Sequence, residues 1–291
     1  MIPSPRAGLT AHVRVVRYDD GDVRETADDV ATEEPLEIRV RAAGQTRTAA
    51  VTMRTPGNDF ELAAGFLFAE GIVDKREDLR GMSYCIDPAI DPEQRYNIVN
   101  VDLSAAALPA MEQLERHFTM NSACGVCGKA SIESLQTRAQ PLPLTRASGT
   151  VLRVSMATIA ELAGAMRESQ RVFSTTGGLH AAALFDEGGR QLVLREDIGR
   201  HNALDKVIGW TLLEGRPAAA PSIAFVSGRA SFELVQKCIV AAIPVLCAVS
   251  APSSLAVELA KEYGITLCGF VRGSRANVYT HPERITSGHA L

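Results

Sequence analysis

The chain has 291 residues, of which 46% are hydrophobic and 22% charged. That composition supplies a full hydrophobic core and excludes disorder along the whole length. Thirty basic residues against 34 acidic ones leave a net charge of -4, which excludes a generally basic nucleic-acid binder but leaves room for a local basic pocket.

Val13 to Tyr18 reads as a strand, and the acidic, polar stretch Asp19 to Glu34 as an exposed loop. Leu36 to Val40 alternates apolar and polar residues like a half-buried strand. Gly44-Gln45 then reads as a turn and Thr46 to Met53 as the returning strand. Asn58, with Glu61 three residues on, has the spacing of a capping box. It opens a helix whose Leu62, Gly65, Phe66 and Ala69 share a face and which Gly71 ends. Tyr96 to Leu103 is a further strand and Pro109 to Phe118 a short helix, so the first hundred residues form a small α+β unit.

The texture changes near Met156. Met156 to Val172 has helical periodicity. Ala181 to Phe185 and Gln191 to Arg195 form a hairpin around Asp186 to Arg190, and Asn202 caps a helix running to Leu213. Strand Ile223 to Val226, helix Phe232 to Ala242, strand Val245 to Val249, helix Leu255 to Tyr263 and strand Thr266 to Val271 then alternate. Such alternation argues for parallel strands with right-handed crossovers. The three strands end in Ser227-Gly228-Arg229, Ser250-Ala251-Pro252 and Arg272-Gly273-Ser274-Arg275. Parallel strands place these ends on one carboxyl edge, where open α/β sheets bind ligands. The expected regions are 1–115, an α+β subdomain; 116–150, a loop region; and 151–291, an α/β ligand-binding domain.

Six cysteines are too few for a disulfide scaffold. The most apolar run, Cys238 to Ala251, is too short to span a membrane and is broken by Pro244. Met1 to Ala11 has no apolar signal core, so a cytoplasmic protein with reduced thiols is expected. Cys85, Cys238, Cys247 and Cys268 are scattered, the last three in apolar stretches, and read as core residues. Cys124-Gly125-Val126-Cys127 stands apart, followed by Gly128 and Lys129. This pair has three functional readings. It is half of a zinc site, although no second ligand pair accompanies it and the one H-x-E, His281-Pro282-Glu283, follows the cysteines. It is a thioredoxin-like redox pair, although no strand leads into it. Or it is an accessible thiol that carries sulfur, its thiolate favoured by Lys129. Two loop cysteines without a role are the fourth possibility.

Other candidate residues surround the sheet edge. Thr175 to His180 has paired glycines that let a backbone approach a ligand, with His180 as a contact. In Glu196 to Asn202, Asp197 is placed to accept hydrogen bonds from a base or ribose, and Asn202 is a contact or only a cap. Ser227, Gly228 and Arg229 precede a helix N-terminus, which suits phosphate. Arg272 and Arg275 suit phosphate through charge-assisted contacts. Together they indicate a pocket for an anionic, nucleotide-bearing ligand.

In chain order, these motifs resemble the FdhD/NarQ family, the formate dehydrogenase accessory sulfurtransferases. The pieces are Met53 to Asp59, Cys124 to Gly128, Thr176 to His180, Glu196 to Lys206, Ser227 to Arg229 and Phe270-Val271-Arg272-Gly273. The resemblance implies a homodimer with a cytidine-deaminase-like three-layer α/β core and a mixed sheet, lacking the deaminase zinc signature and holding no structural metal. It implies transfer of persulfide sulfur from a cysteine desulfurase to the bis-molybdopterin guanine dinucleotide molybdenum cofactor of formate dehydrogenase, whose catalytic subunit is the further partner. By position, Cys124 matches the persulfide-bearing cysteine and Cys127 its partner. The segment Phe270, Val271, Arg272, Gly273, Ser274 and Arg275 matches the one credited with contacting the cofactor. A zinc-dependent nucleotide deaminase and a non-catalytic cofactor chaperone are the alternatives. Neither a nucleic acid nor a membrane is expected as a partner.

Overall fold

The computed structural model describes residues 8–92, 94–106, 108, 139–144, 150–215 and 222–287. Its N-terminal part begins with a two-stranded ribbon, β1 (Thr10–Asp19) against β2 (Asp22–Ala31), joined by a turn at Asp20-Gly21. The expected acidic loop is therefore mostly strand. Its polar residues fit because the ribbon is exposed and needs no apolar alternation on that strand. A four-stranded sheet follows, in the order β4-β3-β6-β5, from β3 (Glu34–Ala42), β4 (Gln45–Arg54), β5 (Leu79–Tyr84) and β6 (Ile98–Leu103). The β3–β4 turn has positive φ at both Ala43 and Gly44, the tight type I′ geometry of a two-residue hairpin.

Helix α1 (Asp59–Glu70) covers this sheet, with Leu62, Ala63, Ala64 and Leu67 packed on Leu36, Ile38, Val40, Val99 and Val101. Gly71 ends the helix in the left-handed region, as expected. The capping box is absent. Asn58 has φ 57° and makes no side-chain cap, and Glu61 instead pairs with Arg195 at 2.5 and 2.7 Å. The expected helix Pro109 to Phe118 lies outside the described residues.

The second unit is a mixed six-stranded sheet in the order β13-β12-β11-β10-β8-β9. Its strands are β8 (His180–Phe185), β9 (Gln191–Asp197), β10 (Ile223–Val226), β11 (Val245–Ala248), β12 (Thr266–Arg272) and β13 (Arg275–Val278). Strands β10, β11 and β12 are parallel, as the alternating pattern implies; β8 and β13 pair with them antiparallel, and β9 pairs antiparallel with β8 at the sheet's end. Both faces are covered, so the strands are buried runs rather than half-polar ones. Ala181, Ala183, Phe185, Ile223, Phe225 and Val245 face helix α2 (Met156–Ser169) through Ile159, Leu162 and Met166. Ala182, Leu184, Ala224, Val226, Leu246 and Leu267 face helices α4 (Arg200–Leu213), α5 (Phe232–Val240) and α6 (Ser254–Glu262). A short helix α3 (Arg171–Thr176) precedes β8, and β7 (Val154–Ser155) pairs with β14 (Ile285–Thr286). This is the expected mixed α/β architecture, with helices on both sides of the larger sheet.

The two units meet where α1 crosses α4. Gly65 and Gly209 let the helices touch backbone to backbone: a Cβ on Gly65 would sit 1.9 Å from the Asp205 carbonyl oxygen, and one on Gly209 1.9 Å from that of Glu61.

Candidate functional site at the carboxyl edge

The ends of β10, β11 and β12 lie side by side, and the antiparallel β8 and β9 bring His180 and Asp197 to the same edge. The loops there are tied to one another. The Ser227 N–H donates to the Ala181 carbonyl at 3.0 Å, and the Ser227 hydroxyl accepts from the Ala181 N–H at 2.9 Å. Ala230 N–H donates to Ala251 at 3.2 Å, Ser253 N–H to Ala230 at 3.0 Å, and Phe270 N–H to Ser250 at 3.2 Å. The helix N-termini of α4, α5 and α6 open on this edge, where free N–H groups and the helix dipole favour an anion.

His180, Ser227, Gly228, Arg229 and the Phe270–Arg275 hairpin are thus brought together, as expected. Gly228 passes over the imidazole of His180; a Cβ there would lie 3.3 Å from its Nδ1. Burial, then the charges of Arg200 and His201, lower the His180 pKa, which keeps the ring neutral near pH 7 and able to donate and accept one hydrogen bond each. Arg229, Arg272 and Arg275 are exposed and form no ion pair with any described residue. His201 stands 3.3 Å from the Ser231 hydroxyl and 3.7 Å from Glu233. His201 is the main reason that the Glu233 pKa falls to about 2.

Three of the candidate residues lie beneath the edge rather than on it. Val271 is in the core. Asp197 is 0% exposed, and both its oxygens serve the protein. Lys206 Nζ is 2.7 Å from Oδ2, which the Thr55 N–H also reaches at 3.3 Å, and Gly199 N–H and Asn202 Nδ2 donate to Oδ1 at 2.9 and 3.1 Å. Asn202 does not cap α4, whose N-cap is Gly199; its amide donates to the Met53 carbonyl at 2.7 Å. Asp197, Asn202 and Lys206 therefore clamp the Met53–Thr55 segment under the edge. Arg54, in the middle of that segment, is buried against Asp59 at 3.2 Å, Glu34 at 3.0 Å and Asn97 at 3.0 Å. The Met53 to Asp59 motif thus joins the two units.

The edge is built around a bulge. Phe270 and Val271 of β12 face the single Ala276 of β13, and Phe270 is held at φ 54°, a costly region for a bulky residue. The bulge leaves Phe270 46% exposed and Val271 buried. Sequence reasoning stopped at Arg275. The alternation continues beyond it through Asn277 on β13 to Tyr279 just past the strand's end.

The four described cysteines are all buried. Burial pushes the Cys238 thiol up to about 12, and a hydrogen bond with Cys268, together with burial, raises Cys247. Cys124 and Cys127 lie outside the described residues. Among the described residues no three His, Cys, Asp or Glu side chains cluster as a metal site would require, and no helix is long and apolar enough to cross a membrane.

The FdhD/NarQ family model matches residues 31–286, most of the chain. The chain belongs to that family. It is 47% identical over 277 residues to the sulfur carrier protein FdhD of Streptomyces coelicolor, covering 95% of this chain and 96% of that one. It is 48% identical over 280 residues to the protein of the same name from Mycobacterium tuberculosis, covering 95% and 99%. The crystal structure of a Desulfotalea psychrophila protein described as a formate dehydrogenase accessory protein superposes with a TM-score of 0.73 at 27% identity, over 96% of this chain and all of that one.

Proposed function

We propose that this FdhD/NarQ family member is a sulfur carrier serving formate dehydrogenase. It accepts sulfane sulfur from a cysteine desulfurase on Cys124 and passes it to the bis-molybdopterin guanine dinucleotide molybdenum cofactor, its substrate, before the cofactor enters the catalytic subunit. The names of the relatives support a sulfur-carrier role tied to formate dehydrogenase. The observation that carries the choice of thiol is the fate of the other cysteines. Four of the six are buried, and those whose pKa is shifted are pushed away from the thiolate that such chemistry needs. The Cys124–Cys127 pair is what is left.

In the loading step the Cys124 thiolate attacks the outer sulfur of the donor persulfide. A new S–S bond forms, the donor's S–S bond breaks, and its electron pair leaves on the donor cysteine, so no outside oxidant is required. The cofactor docks at the carboxyl edge. Its phosphates face Arg229, Arg272 and Arg275 and the helix N-termini, and His180 offers a neutral hydrogen-bonding ring. Val271, Asp197 and Asn202 support that surface from below. The chain acts as a cytoplasmic homodimer, with residues 116–150 carrying sulfur between the donor and the edge formed by 151–291.

The test is persulfide labelling after incubation with a cysteine desulfurase and cysteine, alongside formate dehydrogenase activity in cells. With Cys124→Ala, the label on this chain disappears and activity falls to background. Full activity with Cys124→Ala would overturn the sulfur-carrying role and leave a cofactor chaperone.

A further inference from the structure

Arg284 closes a single helical turn, Pro282–Arg284, and is 0% exposed. Among the described residues no carboxylate ion-pairs with it; the adjacent Glu283 turns to His281 instead, at 3.1 Å. Its Nε makes no hydrogen bond. Burial accordingly lowers its pKa. A dry guanidinium without a counter-ion is destabilising, and an apolar side chain of similar volume would fill the space better.

What the guanidinium supplies is a planar fork that spans acceptors on separate segments. Nη1 donates to the Gly264 carbonyl at 2.6 Å and the Thr266 hydroxyl at 3.1 Å, both at the start of β12, and Nη2 donates to the Pro143 carbonyl at 3.2 Å. The first two acceptors close the start of β12; the third ties in a different stretch of chain. That stretch is held a second time, because the Leu142 N–H donates to the Tyr263 carbonyl at 2.9 Å. Gly264, at φ 73°, makes room for it: a Cβ there would collide with the Leu142 carbonyl oxygen. Pro141 and Pro143 fix φ on either side of Leu142, so the stretch is stiff as well as tied. Leu142 and Pro143 belong to no strand or helix, yet their place is specified from three directions. Pro143 follows Cys124 by 19 positions. A chain of that length reaches at most about 65 Å, against roughly 23 Å along the seven residues of β12, so a thiol tethered here has the carboxyl edge within its span.

We propose that Arg284 is a positioning residue for sulfur delivery: it roots the Cys124-bearing stretch of chain at Leu142–Pro143 and so sets where the thiol can go. The proposal rests on Cys124 carrying sulfur, as argued above.

The test pairs hydrogen exchange with sulfur transfer in Arg284→Met. The Leu142 amide exchanges about tenfold faster than in wild type, the scale of one hydrogen bond, while the β12 amides keep their protection. Persulfide labelling of Cys124 by glutathione persulfide stays as in wild type. Formate dehydrogenase activity in cells, at equal protein level, falls about three- to tenfold, between the effect of a longer tether and that of a misplaced reacting group. Loss of protection in β12 together with Leu142 overturns the proposal, because Arg284 then only stabilises the fold. Leu142 protection that matches wild type overturns it, and so does unchanged activity. Wild type that takes no persulfide on Cys124 overturns the sulfur-carrying reading, and this proposal with it. If Arg284→Met does not fold, Leu142→Pro decides: it deletes the N–H given to Tyr263 and leaves the Arg284 contacts to β12 in place, and unchanged activity at equal protein level overturns the proposal.

Discussion

Glu233 sits in the first turn of α5, where the helix dipole favours a carboxylate, and faces His201 and Ser231. Its pKa falls from 4.5 to about 2, first because of His201 and then because of the Ser231 hydroxyl, against the opposing effect of burial. The sign follows directly. Between pH 4.5 and about 2 the folded chain binds fewer protons at this carboxyl than the unfolded chain does. Its stabilisation is therefore complete above 4.5 and is lost as pH falls toward 2. Urea unfolding of wild type and Glu233→Gln across that range tests this. The variant is less stable by about 1 kcal/mol at pH 6, a figure discounted for partial exposure, and the gap closes on acidification. A gap that stays constant down to pH 2.5 would show that Glu233 acts through packing alone. None of this was legible in the sequence, because His201 and Glu233 stand 32 positions apart and meet only where two helix N-termini converge.

Legibility was best for the elements with the clearest period. The boundaries of β10 came out as read, and those of β11, α5, β12 and α6 within about two residues, because each is an apolar run closed by a turn signal. Strand β2 was missed because its exposed, acidic residues show no period-two alternation. The role of Gly65 was also missed. A glycine inside a helix reads as a weakness, whereas here it is the point where α1 meets the backbone of α4. The contrast with Gly164, mid-way along α2 with nothing within 4 Å of a Cβ, makes a sharp comparison. Gly164→Ala stabilises by about 0.5–1 kcal/mol through helix propensity. Gly65→Ala destabilises by about 3 kcal/mol or more, because the clash is with backbone that cannot rotate away. Denaturant midpoints of the two variants should move in opposite directions; if both rise, the helix crossing is looser than the structure shows.

At the scale of the molecule, the two sheets are joined by the α1–α4 crossing and by the buried clamp under the carboxyl edge. Asp197 and Asn202 were singled out in the sequence as ligand contacts because polar residues are dense at that strand–helix junction. Their actual partners, Met53 and Thr55, come from more than 140 residues earlier, and no local pattern reveals such a pairing. Lys206 extends the clamp: its ammonium lies 2.7 Å from Asp197 and 3.0 Å from the Thr55 carbonyl, with almost no solvent to replace either. Removing one charge from such a pair strands the other in a dry site, which costs about 3–5 kcal/mol, while removing both does not double the loss. Lys206→Met should therefore be severely destabilised. Asp197→Asn, which keeps one oxygen for either the Thr55 or the Gly199 N–H and leaves the Lys206 ammonium the Thr55 and Glu196 carbonyls, should lose less. The double variant should be more stable than the sum of the two losses by about 1–3 kcal/mol, the coupling expected of contacting groups. A double-mutant cycle by urea denaturation measures that coupling. A value near zero would mean that the pair contributes by shape alone and that the two units are held together by the glycine crossing.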